Sequence, residues 1–294
     1  MELRVLHYFL AIAREKSMTH AAETLHITQP TLSRQVADLE AELGAPLFIR
    51  GKRKMLLTEA GVALERRARE ILALAECAKN DIYTIQGRIG GDVHIGCAES
   101  LRVRYVAQTI QRVKCEHPSL CFHMQSGNSE DLLGRLDKGL LDFAVLIEPP
   151  TLKPYYALGF PEDDYWGLLM RKEDPLAQKN AIEAKDLENM SVIASKQALE
   201  TKEFHAWFGE YATKLHIAAT YNLPFNAILL VEAGVAPAFL LDELYPAGND
   251  SPFAFRPLYP PVEARVYLLW RSEVPLSKPA QLFLEMFTEV IGQH

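Results

Sequence analysis

The sequence predicts an α + α/β protein: a small helical head ending in a short hairpin, one long helix, and a bilobal α/β body. Three observations predict it. The first 58 residues carry three short stretches of helical apolar spacing. The stretch from Thr58 to about Gln86 has no proline and holds a sustained apolar seam. The rest of the chain alternates short apolar runs with helical patterns. The 294 residues suit about two domains, and 49% hydrophobic with 23% charged residues suits an ordinary globular protein. The expected divisions are a head at 1–58, a linker helix at 59–87 and a body at 88–294. Within the body, lobe I takes 88–161 and 265–294, and lobe II takes 162–264.

In the head, Leu3, Leu6, Phe9, Leu10 and Ala13 give a first helix with one apolar face. Thr19 is placed to cap a short second helix carrying Ala21, Ala22 and Leu25. Thr28 is placed to cap a third, with Gln29 and Pro30 in its first turn, where proline is tolerated. Leu32, Val36, Leu39 and Leu43 form its expected buried stripe, and Gly44 with Pro46 beyond ends it. Leu47-Phe48-Ile49 and Met55-Leu56-Leu57 read as two strands about the basic tip Arg50-Gly51-Lys52-Arg53-Lys54. Three helices and a hairpin form the layout of a winged helix-turn-helix.

In the long helix, Leu64, Ala68, Ile71, Ala75, Ala78, Ile82 and Ile85 recur at heptad-like spacing. A narrow seam of this kind predicts a two-helix coiled coil and hence a homodimer. In the body, the runs Val93–Ile95, Leu120–Gln125 and Phe143–Ile147 alternate with helices at about 101–114 and Ser129–Asp137. A second set follows at Tyr165–Met170, Ser191–Ala194, Leu215–Ala219 and Val235–Leu241, bracketed by Pro161 and Pro260-Pro261. These prolines mark two crossovers between lobes, and a helix over Lys278–Ile291 returns to lobe I.

Charge separates the parts. Residues 1–58 carry eight Lys/Arg and six Asp/Glu, whereas the whole chain is −7. A basic head on an acidic body points to a polyanion met by the head. The N-terminus of the third helix offers free N–H groups to phosphate. Gln29 is able to bond an adenine edge and Arg34 a guanine edge. Arg34 projects opposite the apolar stripe, and Pro30, Ala37 and Ala41 are small enough to let the helix into a major groove. Thr28, Thr31 and Ser33 flank it. Arg50, Lys52, Arg53 and Lys54 add a second phosphate-contacting site.

These residues carry a resemblance. Ala21-Ala22, Leu25, Gln29-Pro30, Leu32-Ser33-Arg34, Leu39-Glu40, Leu43-Gly44, Leu47-Phe48, Arg50, Arg53, Leu57-Thr58 and Gly61 resemble the DNA-binding domain of the bacterial LysR-type transcriptional regulators. More loosely, Val93-His94-Ile95-Gly96, His117-Pro118, Gly127 to Leu133 and Gly139 to Asp142 resemble that family's effector domain. The resemblance implies a dimer or tetramer, a linker-helix coiled coil and a periplasmic-binding-protein-like effector domain. It implies binding to double-stranded DNA and a small-molecule effector in the interlobe cleft, with RNA polymerase a partner if the chain activates. It points to Ser100 and Leu101, Asn128 and Ser129, and Ser195 and Lys196 as effector contacts. Hydroxyls and amides at helix N-termini facing a cleft suit an anion, with Arg102 and Lys196 as counter-charges.

Other classes find less support. Cys115, His117, Cys121 and His123 lack the spacing of a paired zinc knuckle, so no metal and no cofactor are assigned. No nucleophile elbow, phosphate loop or His-Glu-x-x-His is present, so no enzyme is expected. No stretch nears the ~20 apolar residues of a membrane span, and Met1-Glu2-Leu3-Arg4 does not open a secretion signal, so a cytoplasmic protein is expected. The remaining alternatives are a ligand-independent DNA-binding regulator and a thiol- or redox-responsive one.

Overall fold

The computed structural model describes residues 1–50, 54–85, 90–149, 151–245 and 251–293, with the backbone alone for Arg50, Ala73 and residues 76–85. It divides into two compact units, Met1–Ile82 and Tyr83–His294.

The first unit opens with α1 (Leu3–Glu15), α2 (Met18–Thr24) and α3 (Gln29–Leu43). Ser17, not Thr19, caps α2, and its hydroxyl accepts from the His20 N–H at 3.3 Å. Lys16 in the left-handed region closes α1 immediately before it, so α2 begins two residues earlier than a Thr19 cap allows. Thr28 caps α3 through the Thr31 N–H, and Gly44 at φ +68° ends it. Leu32, Val36 and Leu39 are buried, but Leu43 is 43% exposed. It lies in the last turn, beyond the reach of the three-helix core.

The strands β1 (Phe48–Arg50) and β2 (Met55–Leu57) form an antiparallel hairpin. Glu40 on α3 ties it down by accepting the Leu47 and Phe48 N–H groups at 2.6 and 3.2 Å. Then α4 (Glu59–Ile85) starts against the same segment. A Cβ on Gly61 would stand 2.2 Å from the Leu47 carbonyl oxygen, so glycine is required at this close approach. Ala68 on α4 is fully buried in the core of this unit, and Leu64 and Ile71 pack against that core. This corrects the reading of the seam: its first three positions are occupied by the chain's own head. Ala75 is half-buried, and the side chains of Ala78, Ile82 and Ile85 lie outside the described residues.

The second unit holds β3 (Gly91–Cys97), α5 (Val103–Glu116), β4 (Leu120–Ser126), α6 (Ser129–Asp137), β5 (Phe143–Ile147) and β6 (Tyr155–Gly159). The chain crosses into a second lobe with β7 (Asp164–Arg171), β8 (Ser191–Ser195), α7 (Lys196–Leu199), α8 (Lys202–Phe208), β9 (His216–Tyr221), α9 (Pro224–Glu232), β10 (Ala238–Leu241), β11 (Phe253–Pro257) and β12 (Glu263–Ala264). It returns through β13 (Val266–Arg271) and α10 (Lys278–Ile291). Among the described residues, one sheet runs β4-β3-β5-β13-β6. The other runs β11-β7-β10-β8-β9, with β12 beside β7. Both are mixed: β3 is parallel to β4 and β5, while β13 is antiparallel to β5 and β6.

The apolar faces explain the layers. Val93, Ile95, Phe143, Val145 and Leu268 meet α5 and α10 through Tyr105, Val106, Phe283 and Phe287. On the opposite face Ala144, Leu146 and Leu269 meet Leu132 and Leu136 of α6. The second sheet is likewise covered on both faces. Such burial on two faces produces continuous apolar strands. The sequence reading lacked β6, β11, β12 and β13, and it began α5 and β10 too early. Gly234 at φ +77° still belongs to the turn after α9, so β10 starts at Ala238.

Candidate functional site

On the head, Thr28, Gln29, Pro30, Thr31 and Arg34 are exposed on α3, as are Ala37 and Ala41, and Ser33 is half-buried. Thr28 and Thr31 share a hydroxyl hydrogen bond at 2.8 Å, which fixes both at the helix N-terminus. Lys54 is exposed beside β2. Lys52 and Arg53 lie outside the described residues, as does the Arg50 side chain.

In the body, the two lobes enclose a cavity of about 690 Å³, part of it open solvent. Its walls come from the C-terminal ends of β3, β5 and β8, the N-termini of α6 and α8, and the turn between β9 and α9. This is where open α/β sheets bind ligands. Asn128 and Ser195 line it, and each also caps a helix: Asn128 accepts the Asp131 N–H at 2.8 Å, and Ser195 accepts that of Ala198 at 3.5 Å. Lys196 stands at the outer mouth with Glu130, Glu200 and Lys202.

Three expectations are corrected here. Ser100 and Leu101 do not line this cavity. Ser100 is buried, donates to the Asp164 carboxylate and accepts the Arg102 N–H at 2.9 Å. Arg102 is no counter-charge for a ligand. Its Nε donates to Asp164 at 2.8 Å and another guanidinium nitrogen to Glu162. Burial pushes the Asp164 carboxyl up, against the opposing pull of its bonds from Ser100 and Arg102. These groups join lobe I to the first strand of lobe II.

The third correction concerns Ser129 and the α6 N-terminus. Gln197, from lobe II, already fills that place. Its amide nitrogen donates to the Ser129 hydroxyl at 2.8 Å and the Ile147 carbonyl at 3.2 Å, and its oxygen accepts the Ser129 N–H at 3.3 Å. Three of the four hydrogen bonds that one carboxamide can make thus bridge the lobes.

The lining of the cavity differs in charge from the one expected for an anion. Glu99, Glu148, Glu203 and Glu263 line it, and among the described residues no Lys, Arg or His does. Burial pushes the Glu99 carboxyl up. Glu148 sits at φ +41°, a costly conformation for a side-chain-bearing residue. It is held by its N–H on the Arg265 carbonyl at 2.9 Å and its carboxylate on the Arg265 N–H at 2.8 Å. Trp166, Tyr221, Ile147 and Leu241 supply apolar wall. Sequence reasoning missed Gln197 and the four glutamates. One signal was available: Glu99 and Glu148 each follow the end of a sheet strand.

Three of the four cysteines have described side chains. Cys97 is buried, and burial pushes its thiol up to about 12, which keeps it protonated and unreactive. Cys115 and Cys121 are exposed and free. No described helix is long and apolar enough to cross a membrane.

Comparison with known proteins agrees with this architecture. Residues 3–62 match the family described as bacterial regulatory helix-turn-helix protein, lysR family. Residues 86–292 match the LysR substrate binding domain. Among curated relatives, the uncharacterized HTH-type transcriptional regulator YvbU of Bacillus subtilis is 29% identical, covering 99% of this chain and 99% of its own. The HTH-type transcriptional regulator IlvY of Escherichia coli is 28% identical, covering 93% of this chain and 89% of its own. Full-length CbnR, solved in complex with its target DNA, has the same fold, with TM-score 0.74 at 20% identity over 100% of this chain and 99% of that one. Two matched families in this order, over a head with an exposed third helix and a bilobal body, lead to one conclusion: the chain belongs to the LysR family of transcriptional regulators.

Proposed function

We propose that this regulator reads its operator with the exposed face of α3 and is controlled by a small cationic ligand held between the lobes. Gln29 and Arg34 contact bases, and Thr28, Pro30, Thr31 and Ser33 set the helix against the backbone. Arg50, Lys52, Arg53 and Lys54 take phosphates. The exposure of the α3 face supports this reading, because a protein core would have no use for it. Arg34→Ala should lose about 1–3 kcal/mol of discrimination between operator and random DNA. Lys54→Ala should weaken both alike and flatten the salt dependence. Titrations at two salt concentrations check both, and an unchanged specificity ratio in Arg34→Ala would refute the docking.

The observation that carries the ligand reading is a cavity lined by four glutamates and, among the described residues, by no basic one, with Lys196 and Lys202 only at its outer mouth. Glu99 and Glu148 are half-buried and Glu203 and Glu263 are exposed, and carboxylates gathered in this way attract a cation and repel an anion. Trp166 and Tyr221 add aromatic surface of the kind that suits an alkylammonium or guanidinium group. The ligand is therefore an amine or guanidino compound with an apolar stem. Thermal unfolding with cadaverine and agmatine, against glutarate and succinate, tests this. The amines should raise Tm, and Glu99→Gln with Glu203→Gln should abolish the rise. Stabilisation by the dicarboxylates alone would overturn it.

A second copy of the chain pairs through the later half of α4. Ala75, Ala78, Ile82 and Ile85 remain for that contact once Leu64, Ala68 and Ile71 are placed in the head's own core. Ala75→Glu with Ala78→Glu should give a smaller species on sedimentation and weaker operator binding, because two half-sites are no longer read together. An unchanged mass would place the association elsewhere.

A further inference from the structure

Lobe I carries a second cluster of chemistry, away from the cleft. In the parallel register of β3 and β4, Asp92 lies opposite Cys121, and His94 lies opposite His123. Alternation along a strand puts Asp92 and His94 on one face, and Cys121 and His123 on that same face of the neighbour. Ligand atoms of Asp92, Cys121 and His123 all lie within 4.8 Å of one another. His123 Nε2 stands 3.4 Å from the Asp92 carboxylate. The His94 ring stacks on that of His123, with centroids 4.7 Å apart and planes at 15°. This stacking fixes the plane in which His123 presents its nitrogen. Cys121 and His123 are exposed, so an ion reaches them from solvent.

We infer that Asp92, Cys121 and His123 form a binding site for a zinc ion, completed by water. The donor set selects the ion. A thiolate, an imidazole and a carboxylate together suit a borderline-soft divalent metal, whereas calcium and magnesium take oxygen alone. The ligand atoms need to close only modestly to meet a common centre at the usual 2.0–2.3 Å bond lengths. In the metal-free protein the Asp92 carboxylate faces His123. On binding, zinc takes that place, the thiol gives its proton to solvent, and the carboxylate and thiolate balance the 2+ charge. The grouping differs from the one weighed in the sequence. Cys121 and His123 do come together with a third ligand, but Asp92 from the adjacent strand supplies it rather than Cys115 or His117. Because β4 is the edge strand of its sheet, the ion would pin that edge to β3.

Cobalt(II) tests the site, because a thiolate ligand gives it a charge-transfer band and low coordination gives it intense visible bands. The full-length, untagged, reduced chain should bind one cobalt(II) with both signatures and release it to zinc. Cys121→Ser should lose the charge-transfer band, and Cys115→Ser should keep it. His123→Ala should weaken binding by more than the roughly 10–100-fold that follows loss of an outer-shell partner. Zinc should raise the Tm of the parent protein and not that of Cys121→Ser. These residues are exposed, so the variants should fold, and circular dichroism of each checks that. Absence of the thiolate band in the parent protein, or equal metal affinity in parent, Cys121→Ser and His123→Ala, would overturn the assignment.

Discussion

Among the described residues, polar bonds join the two lobes behind the cleft and across its mouth, and these joints differ in kind. Behind the cleft, Ser100, Arg102 and Asp164 are buried and tied by charged hydrogen bonds at the crossover from lobe I to lobe II. Across the mouth, Gln197 holds Ser129 and Ile147 through neutral bonds beside an open cavity. Breaking the first leaves charge stranded away from water, so it is the costlier of the two to open. Breaking the second exposes one amide, one hydroxyl and one carbonyl to water that satisfies them nearly as well. The lobes therefore share a firmer joint and a looser one, and the cavity lies at the latter.

The largest effect tests the firmer joint. Asp164→Ala removes the carboxylate that Arg102 and Ser100 share, and should destabilise the body by about 3–5 kcal/mol, read from urea unfolding. A loss under about 1 kcal/mol would mean that Arg102 finds water without it. Ser100→Val comes next. It strips one bond from Asp164 and one from the Arg102 N–H, and should cost about 1–3 kcal/mol while leaving amine binding nearly unchanged. Calorimetry beside unfolding separates the two readouts. A large loss of affinity with intact stability would return Ser100 to the ligand site.

Gln197→Ala should cost only about 0.5–1.5 kcal/mol. Its signature is local: the Ser129 amide should exchange its hydrogen faster, because its acceptor is gone. Unchanged exchange there would show that the mouth stays shut by other means. The smallest effect is a pH dependence. Burial raises the Glu99 carboxyl, so the folded protein binds this proton more tightly than the unfolded chain. On Glu99's account, stability therefore rises slightly as pH falls through its raised range, and the gain is complete below the ordinary carboxylate value. Cation affinity moves the other way, falling as Glu99 is neutralised. Glu99→Gln should remove both trends, and an amine affinity that strengthens on acidification would contradict the role given to it.

Much of the fold was legible because local patterns and tertiary demands agreed. The ends of α6, β5 and α10 were read as they stand, since each is a clean periodic run bounded by a cap or a turn. The missed strand β6 is an exposed edge whose Tyr155, Tyr156 and Gly159 follow no apolar alternation. The cleft was less legible for a different reason. Glu99, Glu148, Glu203 and Glu263 are far apart in sequence, and only closure of two sheets gathers them. Gln197 carries no signal at all, because one amide after a strand reads as a surface residue. The α4 seam was half legible: its period was right, but an apolar stripe does not say which surface will cover it.

That last point has a mechanical consequence. Ala68 is sealed inside the head, so the first turns of α4 are not a tether but part of the same solid body as α3. At 27 residues, α4 is a lever arm about 40 Å long. A tilt of roughly 5° about its distal end sweeps the reading helix by about 3.4 Å, the rise of one base pair. On the docking proposed above, angular changes too small to alter any contact in the head thus decide which step of the duplex α3 meets.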